Sequence, residues 1–360
     1  MRLTLIEASR AVAALAVVLM HTTHLMRVDQ FSGHVGLQGM FDWGYVGVDF
    51  FFVLSGFIIT FVHHRELGAG TTYLRSYAWK RFVRVFPIYW CVLLLSIVLS
   101  VATRLAAHRQ PLLEFSAADI PGTLFLLIGG GEPLYVGVAW SLQFEVMFYA
   151  SFCLLLLHRG AGMLAYAAWG ALVLLMAADA LPAGLKPLTF NVLSPHCAQF
   201  LLGVVTALAA LKWQARLGRP ALLGAIALFA LATVYERWDD STIHSAMGRL
   251  LLGLASAMLL FVMVNLERGG VLRAPRLLAQ LGAVSYSLYL AHCVFINIAL
   301  TLLAKLGVYR ALPEVVIFVF AFGVAVAGGW WLGHKVELPL VGWLRRRVAG
   351  RSRQEALATP

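Results

Sequence analysis

The stretch RAVAALAVVLMHTTH, Arg10 to His24, has the length and apolar character of a membrane-spanning helix, yet it begins with a guanidinium and ends with two imidazoles. An ionisable side chain deep in a span costs about 2.5–3.5 kcal/mol on insertion scales, so such a group lies near an end, is paired, or belongs to a site. Arg10 and His21 are eleven residues apart, and eleven steps of about 100° overshoot three full turns by about 20°. They share one helix face, about 16 Å apart along the axis. Taken alone, each has an ordinary reading too: Arg10 snorkels to the headgroups and His21 is a hydrogen-bonded core histidine.

The rest of the chain repeats the pattern. Of its 360 residues 61% are hydrophobic and 12% charged, with a mean hydropathy of +0.82, which excludes a water-soluble globular domain. About ten runs are long enough to cross a hydrocarbon core of about 30 Å. They cover residues 5–26, 44–64, 85–103, 136–157, 160–180, 192–211, 219–235, 245–266, 282–304 and 314–336. The predicted fold is all-α and polytopic. A shorter glycine-bearing run from Thr123 to Gly131 reads as a re-entrant or interfacial piece, which survives at membrane depth only when protein or a watery cavity covers it.

An even number of spans puts both termini on one side, and most of the 28 Lys and Arg fall on cytoplasmic segments when the N-terminus is inside. The net charge of +11 is thereby explained by topology, with no nucleic-acid partner implied. The first span is too polar for a cleaved signal peptide. Cys91, Cys153, Cys197 and Cys293 lie in predicted spans as small core residues without CxxC pairing, so neither a disulfide framework nor a zinc site is expected, and no metal cofactor. Residues 1–344 read as one membrane domain, and 345–360, opening with Arg345 to Arg347, as a basic disordered tail. No internal repeat of the symmetric-transporter kind is evident.

Few other ionisable groups fall inside spans. In GYVGVDFFFVLSGF (Gly44–Phe57), Asp49 lies at nearly the depth of His21, where a carboxylate can orient an imidazole. Ser55 and Gly56 follow, a small pair suited to close packing. VAWSLQFEVMFYA (Val138–Ala150) carries Glu145, which needs a cation or imidazole at that depth; Arg10 and His21 are the nearest by level. Arg75, Lys80, Arg81 and Arg84 form a basic edge, with Arg81 and Arg84 on one helix face before Pro87. That edge reads either as a positive-inside anchor or as a phosphate grip. His292 is near mid-span beside Tyr286 and Tyr289, and Glu337 stands at the end of the last span. His24, Trp140 and Tyr149 are candidate cavity walls, while His63 and His64 read as interfacial.

Taken in order, the Arg10-to-His21 spacing, GVDFFFVLSGF, KRFVRVFP, WSLQFEVMFY and GAVSYSLYLAH (Gly282–His292) resemble the membrane acyltransferase-3 family over nearly the whole chain. The resemblance implies transfer of acyl groups, usually acetyl, to exported or cell-surface carbohydrates at a bacterial inner membrane. It ties Arg10 and His21 to catalysis and Arg81 and Arg84 to an acyl-CoA donor. It also carries over Trp140, Ser141 and Glu145, while Gln143, Val146 and Met147 depart from the usual residues there. Some relatives append a soluble hydrolase-like domain; this chain resembles the single-domain members acting on lipopolysaccharide, exopolysaccharide or lipid-linked oligosaccharide, with any polysaccharide-assembly partner a separate protein.

These residues outline a mechanism. Acyl-CoA, most simply acetyl-CoA, is held by Arg81 and Arg84, with Lys80 and Arg75 beside them, and lays its pantetheine arm past Arg10. Arg10 meets the thioester carbonyl or a phosphate-bearing part of the donor. His21 takes the acceptor hydroxyl proton, or is itself acylated, with Asp49 or Glu145 holding its tautomer. Ser55, Ser141, Tyr149, Tyr286 and His292 line the cavity. Two rivals remain on sequence grounds: a proton-coupled exporter of a glycan precursor, and a non-catalytic membrane partner in polysaccharide assembly.

Overall fold

A computed structural model describes residues 3–28, 37–106, 117–128, 135–180, 192–238 and 246–346. Every regular element among them is helical: α1 (Thr4–Met26), α2 (Val46–His63), α3 (Thr71–Ala106), α4 (Ile120–Phe125), α5 (Trp140–Leu157), α6 (Arg159–Ala177), α7 (Pro195–Lys212), α8 (Arg219–Trp238), α9 (Ala246–Arg268), α10 (Arg276–Ala283), α11 (Ser285–Lys305) and α12 (Glu314–Leu332). All but α4 and α10 are long and apolar enough to cross a membrane, and these ten coincide with the ten expected spans.

Two helices exceed their expected lengths. The basic segment before the third span joins it in one 36-residue helix, α3, with Pro87 inside. Proline there lacks one N–H and the flanking turns carry the helix through. At the other end, α12 passes into a π-helical turn at Gly333–Glu337 and continues as helix to Arg346. The expected boundary at 344 therefore falls inside a helix, and the tail from 347 lies outside the described residues.

The Thr123–Gly131 stretch is represented by α4, which is too short to cross. Leu126 ends it in the left-handed region at φ 54° and is itself fully buried. The Tyr89 hydroxyl donates to the Thr123 carbonyl, and Trp90 Nε1 donates to that of Leu124 at 2.9 Å. α3 thus covers the irregular backbone, as burial in protein requires. Gly129 to Gly131 lie outside the described residues.

α2 is the hub of the bundle, packed on α1, α5, α7 and α9. Its closest crossing is with α7, where each helix offers a glycine to the other's backbone: a Cβ at Gly56 would stand 2.0 Å from the Phe200 carbonyl oxygen, and one at Gly203 1.9 Å from that of Val53. With lipid as apolar as the side chains, this van der Waals approach holds the pair together. Around it stack Phe52, Phe144, Phe148 and Phe200, the last two with ring centroids 4.0 Å apart. α6 and α8 lie at the periphery and turn apolar residues such as Leu164 and Leu223 outward, as a hydrocarbon surround demands.

α1 lies inside the bundle against α2, α10, α11 and α12. Its start is fixed by Glu267, which accepts from the Thr4 hydroxyl at 2.6 Å and from the Leu5 amide at 2.9 Å, satisfying N–H groups that a helix leaves open. The polar stripe of Arg10 and His21 therefore meets protein.

The glycine crossing gives a direct check. Gly203→Val is expected to push α7 off α2 and lower the thermal stability of detergent-solubilised protein by several degrees, since overpacking costs about 1–3 kcal/mol. Fluorescence-detected size exclusion after heating measures it, and an unshifted melting curve would show that the helices do not meet there.

Candidate functional site

One face of α1 is matched along its length by α11. Arg10 Nε donates to Ser285 Oγ at 3.1 Å, and three turns further on His21 Nδ1 lies 3.1 Å from His292 Nε2. Both contacts run in the same chain direction, so α1 and α11 are parallel and the two groups face a single neighbouring helix.

At the Arg10 end the helices enclose a cavity of about 130 Å³. Arg10, Arg81, Arg84 and Glu145 line it with Ser55, Ser141, Ser285, Tyr149, Tyr286 and Tyr289, while Val48, Phe51, Phe52, Leu54, Ile58, Ile59 and Leu142 supply an apolar wall. The i, i+3 spacing does put Arg81 and Arg84 on one face, and that face opens into the cavity.

Each cation is held. Arg84 NH1 is 2.7 Å from Glu337 Oε1, while the other Glu337 oxygen accepts from the Ser287 hydroxyl at 2.6 Å. Glu337 is 1% exposed and reaches inward from the π-helical turn, a distortion that often marks functional positions. Arg81 donates to His63 Nε2 at 2.7 Å and lies over the rings of Tyr77 and Tyr149. His63, expected at the interface, is instead 2% exposed and walled by Tyr73, Tyr77 and Phe152. The Tyr149 hydroxyl donates to Glu145, and Tyr286 donates to the Val85 carbonyl at 2.9 Å. Glu145 thus takes a phenol as its direct partner, with the three arginines across the cavity.

The histidine pair lies just beyond the cavity's far wall. Tyr289 forms that wall, its hydroxyl 2.8 Å from Ser141 Oγ and its ring 5.9 Å from those of both Phe51 and His292. His292 Nδ1 is 2.5 Å from the Tyr289 carbonyl oxygen, which only an N–H can satisfy, so its Nε2 is an acceptor. That acceptor faces His21 Nδ1, which is also 3.0 Å from the Val17 carbonyl oxygen. Both contacts need a proton on His21 Nδ1. The neutral tautomers are thereby fixed, and His21 Nε2 is left with a free lone pair.

Several expected placements differ. Asp49 is fully buried but turned to α7 and α9, where its Oδ1 accepts from Gln199 at 2.7 Å and Arg249 at 3.0 Å, with His196 Nδ1 at 3.8 Å. It shares His21's depth but not its azimuth, so neither Asp49 nor Glu145 orients that imidazole; His292 does. Trp140 packs on Phe52, Phe144 and His196 outside the cavity. His24 pairs with Asp42 at 3.1 Å on the exposed rim, its ring 6.2 Å from that of His21. Arg75 and Lys80 are exposed, and Lys80 donates to the Tyr73 hydroxyl. Cys91 is exposed and Cys153 and Cys293 half-buried, leaving only Cys197 as a buried core thiol. Gln143, one of the residues departing from the family pattern, donates to the Leu127 carbonyl behind α4 at 3.3 Å.

Ser285, Tyr289 and Glu337 were not singled out as site residues, and His292 was not paired with His21. A carboxylate at the end of a span was the one sequence signal for Glu337.

The Arg84–Glu337 pair is testable directly. Arg84→Ala leaves a buried carboxylate without its cation, a change worth about 3–5 kcal/mol. Thermal melts of purified protein are expected to drop markedly for Arg84→Ala and to recover in part for Arg84→Ala with Glu337→Gln; equal melts for the single and double variants would mean that the pair is not formed.

The model of the acyltransferase-3 family, described as an acyltransferase domain, matches residues 4–334. The chain is 28% identical over 324 residues to the exopolysaccharide production protein ExoZ of Rhizobium meliloti (strain 1021), covering 87% of this chain and 93% of the relative. It is 28% identical over 184 residues to protein 2 in the picA locus of Rhizobium radiobacter, covering 47% of this chain and 83% of that relative. No solved structure matches it.

Proposed function

The chain belongs to the acyltransferase-3 family, and on that premise we propose that it carries an acyl group, most simply acetyl, from cytoplasmic acyl-CoA to a hydroxyl of an exported or cell-surface glycan. Likeness to an exopolysaccharide production protein supports a polysaccharide acceptor, either free or lipid-linked. The observation that carries the reading is the juxtaposition of an arginine-lined cavity with a tautomer-fixed histidine pair along one face of α1.

In this reading both termini are cytoplasmic, in the bacterial inner membrane, and the cavity takes the donor from that side. Arg81 and Arg84 meet its phosphates, where guanidinium forks bind oxygens bidentately. The pantetheine arm then runs past Arg10 toward Tyr289. Because Arg10 and His21 are about 16 Å apart on one unbroken helix, Arg10 meets the donor's arm or phosphates rather than the thioester carbonyl.

The acceptor hydroxyl approaches His21 from the half-exposed side near His24. His21 Nε2 takes the hydroxyl proton as the oxygen attacks the thioester carbon, and the resulting imidazolium returns a proton to the departing CoA sulfur. His292, accepting from His21 Nδ1, holds the ring and stabilises its transient charge, the part an aspartate plays in a hydrolytic triad. Glu337 and Glu145 offset part of the charge of the three guanidiniums, and the excess positive charge favours an anionic donor.

His21→Ala is expected to abolish transfer while the protein still inserts and binds CoA; retained activity removes His21 from the chemistry. His292→Ala, which leaves His21 in place but frees its tautomer, is expected to lower kcat at least a hundredfold with KM for the donor little changed. Arg81→Ala with Arg84→Gln is expected to show the reverse, a raised donor KM. Transfer of radiolabelled acetyl from acetyl-CoA to isolated glycan measures all three, and mass spectrometry of the product identifies the acyl group.

A further inference from the structure

The histidine pair has a third neighbour that the transfer reaction does not use. His21, His292 and Cys293 each offer a ligand atom, and these atoms all lie within 4.8 Å of one another. No linear motif announces the group, because His21 comes from α1 and the adjacent His292 and Cys293 from α11.

We propose that this cluster is an inhibitory site for a borderline transition-metal dication such as zinc(II), bound by two imidazole nitrogens and a thiolate and competing with acyl transfer. The geometry suits the ion. Zinc bonds of about 2.0–2.1 Å to nitrogen in a tetrahedron set the two nitrogens about 3.3 Å apart, and His21 Nδ1 and His292 Nε2 are already 3.1 Å apart. A nitrogen and a sulfur on the same ion stand about 3.6 Å apart, so a turn of the Cys293 side chain closes the third contact. The remaining ring nitrogen of His292 is tied to the Tyr289 carbonyl, the outer-shell contact that metal-bound histidines usually make. Three ligands leave one position open for water. A cation reaches the pair past the exposed rim, where His24 and Asp42 stand beside His21.

The consequence for transfer rests on the reading of His21 as base. Binding at Nδ1 requires the lone pair there, so the ring proton moves from Nδ1 to Nε2, and the Cys293 thiol releases its proton to solvent. His21 Nε2 is then an N–H and no longer takes the acceptor's proton. Cys293 contributes a metal ligand and nothing to the reaction, which separates the two roles.

Cobalt(II), a spectroscopic stand-in for zinc, tests the site on the purified full-length protein. Titration is expected to give a thiolate-to-cobalt charge-transfer band that zinc(II) displaces and that is lost in Cys293→Ser but kept in Cys91→Ser. In parallel, zinc(II) is expected to inhibit acetyl transfer, reversibly with chelator, and at least tenfold less potently in Cys293→Ser, whose metal-free activity and melting curve match the wild type. A folded wild type with no such band, or a band that survives Cys293→Ser, overturns the site. A Cys293→Ser variant that folds normally yet transfers nothing in chelator also overturns it, by making the thiol part of the reaction. If the band depends on all three residues but the protein transfers no acyl group, the site stands and the reading of the reaction falls.

Discussion

A guanidinium and an imidazole on one stripe of a membrane helix must be solvated by protein, because hydrocarbon offers them nothing. In this bundle α11 meets that demand along the length of α1, with Ser285 receiving Arg10 and His292 receiving His21. The rest is arranged around this parallel pair. α3 and α5 bring Arg81, Arg84, Glu145 and Tyr149 to the Arg10 end, and the π-helical turn after α12 supplies Glu337 to keep Arg84 in place. The tight glycine crossing of α2 with α7 leaves the opposite edge of α2, with Phe51, Ser55 and Ile58, to wall the same space.

The two ends of the stripe are solvated differently. Around the cavity the charges are numerous and each is met by a group that limits its desolvation cost: Glu337 for Arg84, His63 for Arg81, Ser285 for Arg10. All three guanidiniums line the cavity, which suits an anionic ligand. At the His21 end a relay of neutral acceptors from Val17, His292 and Tyr289 sets tautomers without adding charge. A cationic entrance and a neutral proton-accepting end therefore lie on one line, separated by Tyr289.

Depth was legible in the sequence and azimuth was not. Counting residues at 1.5 Å each located the ten spans and set Glu145 near the level of Arg10, whereas Arg81 and Arg84, read as a basic edge before the third span, open into the same cavity. The same counting set Asp49 beside His21, but a first-turn residue of α2 can face several neighbours, and Asp49 faces Arg249 and Gln199. His292 was expected to line the cavity but lies beyond Tyr289 against His21, because contact between the first and ninth spans has no signature in either span alone. Exposed Lys80 and Arg75 belong to the same basic run as Arg81, and only helix phase separates those that line the cavity from those that do not. The π-helical turn left no trace in hydropathy, so Glu337 read as the end of a span rather than as the counter-ion of Arg84.

In the proposed function, one surface of α1 carries a donor from a cationic mouth to a proton acceptor. An experimental structure in lipid nanodiscs with a non-hydrolysable acyl-CoA analogue tests it most directly. The account predicts phosphate density on Arg81 and Arg84, the pantetheine arm alongside Arg10, and the acyl carbonyl beyond Tyr289 within reach of His21 Nε2. An analogue seated elsewhere, with the Arg10–His21 surface covered only by side chains or lipid, would contradict it.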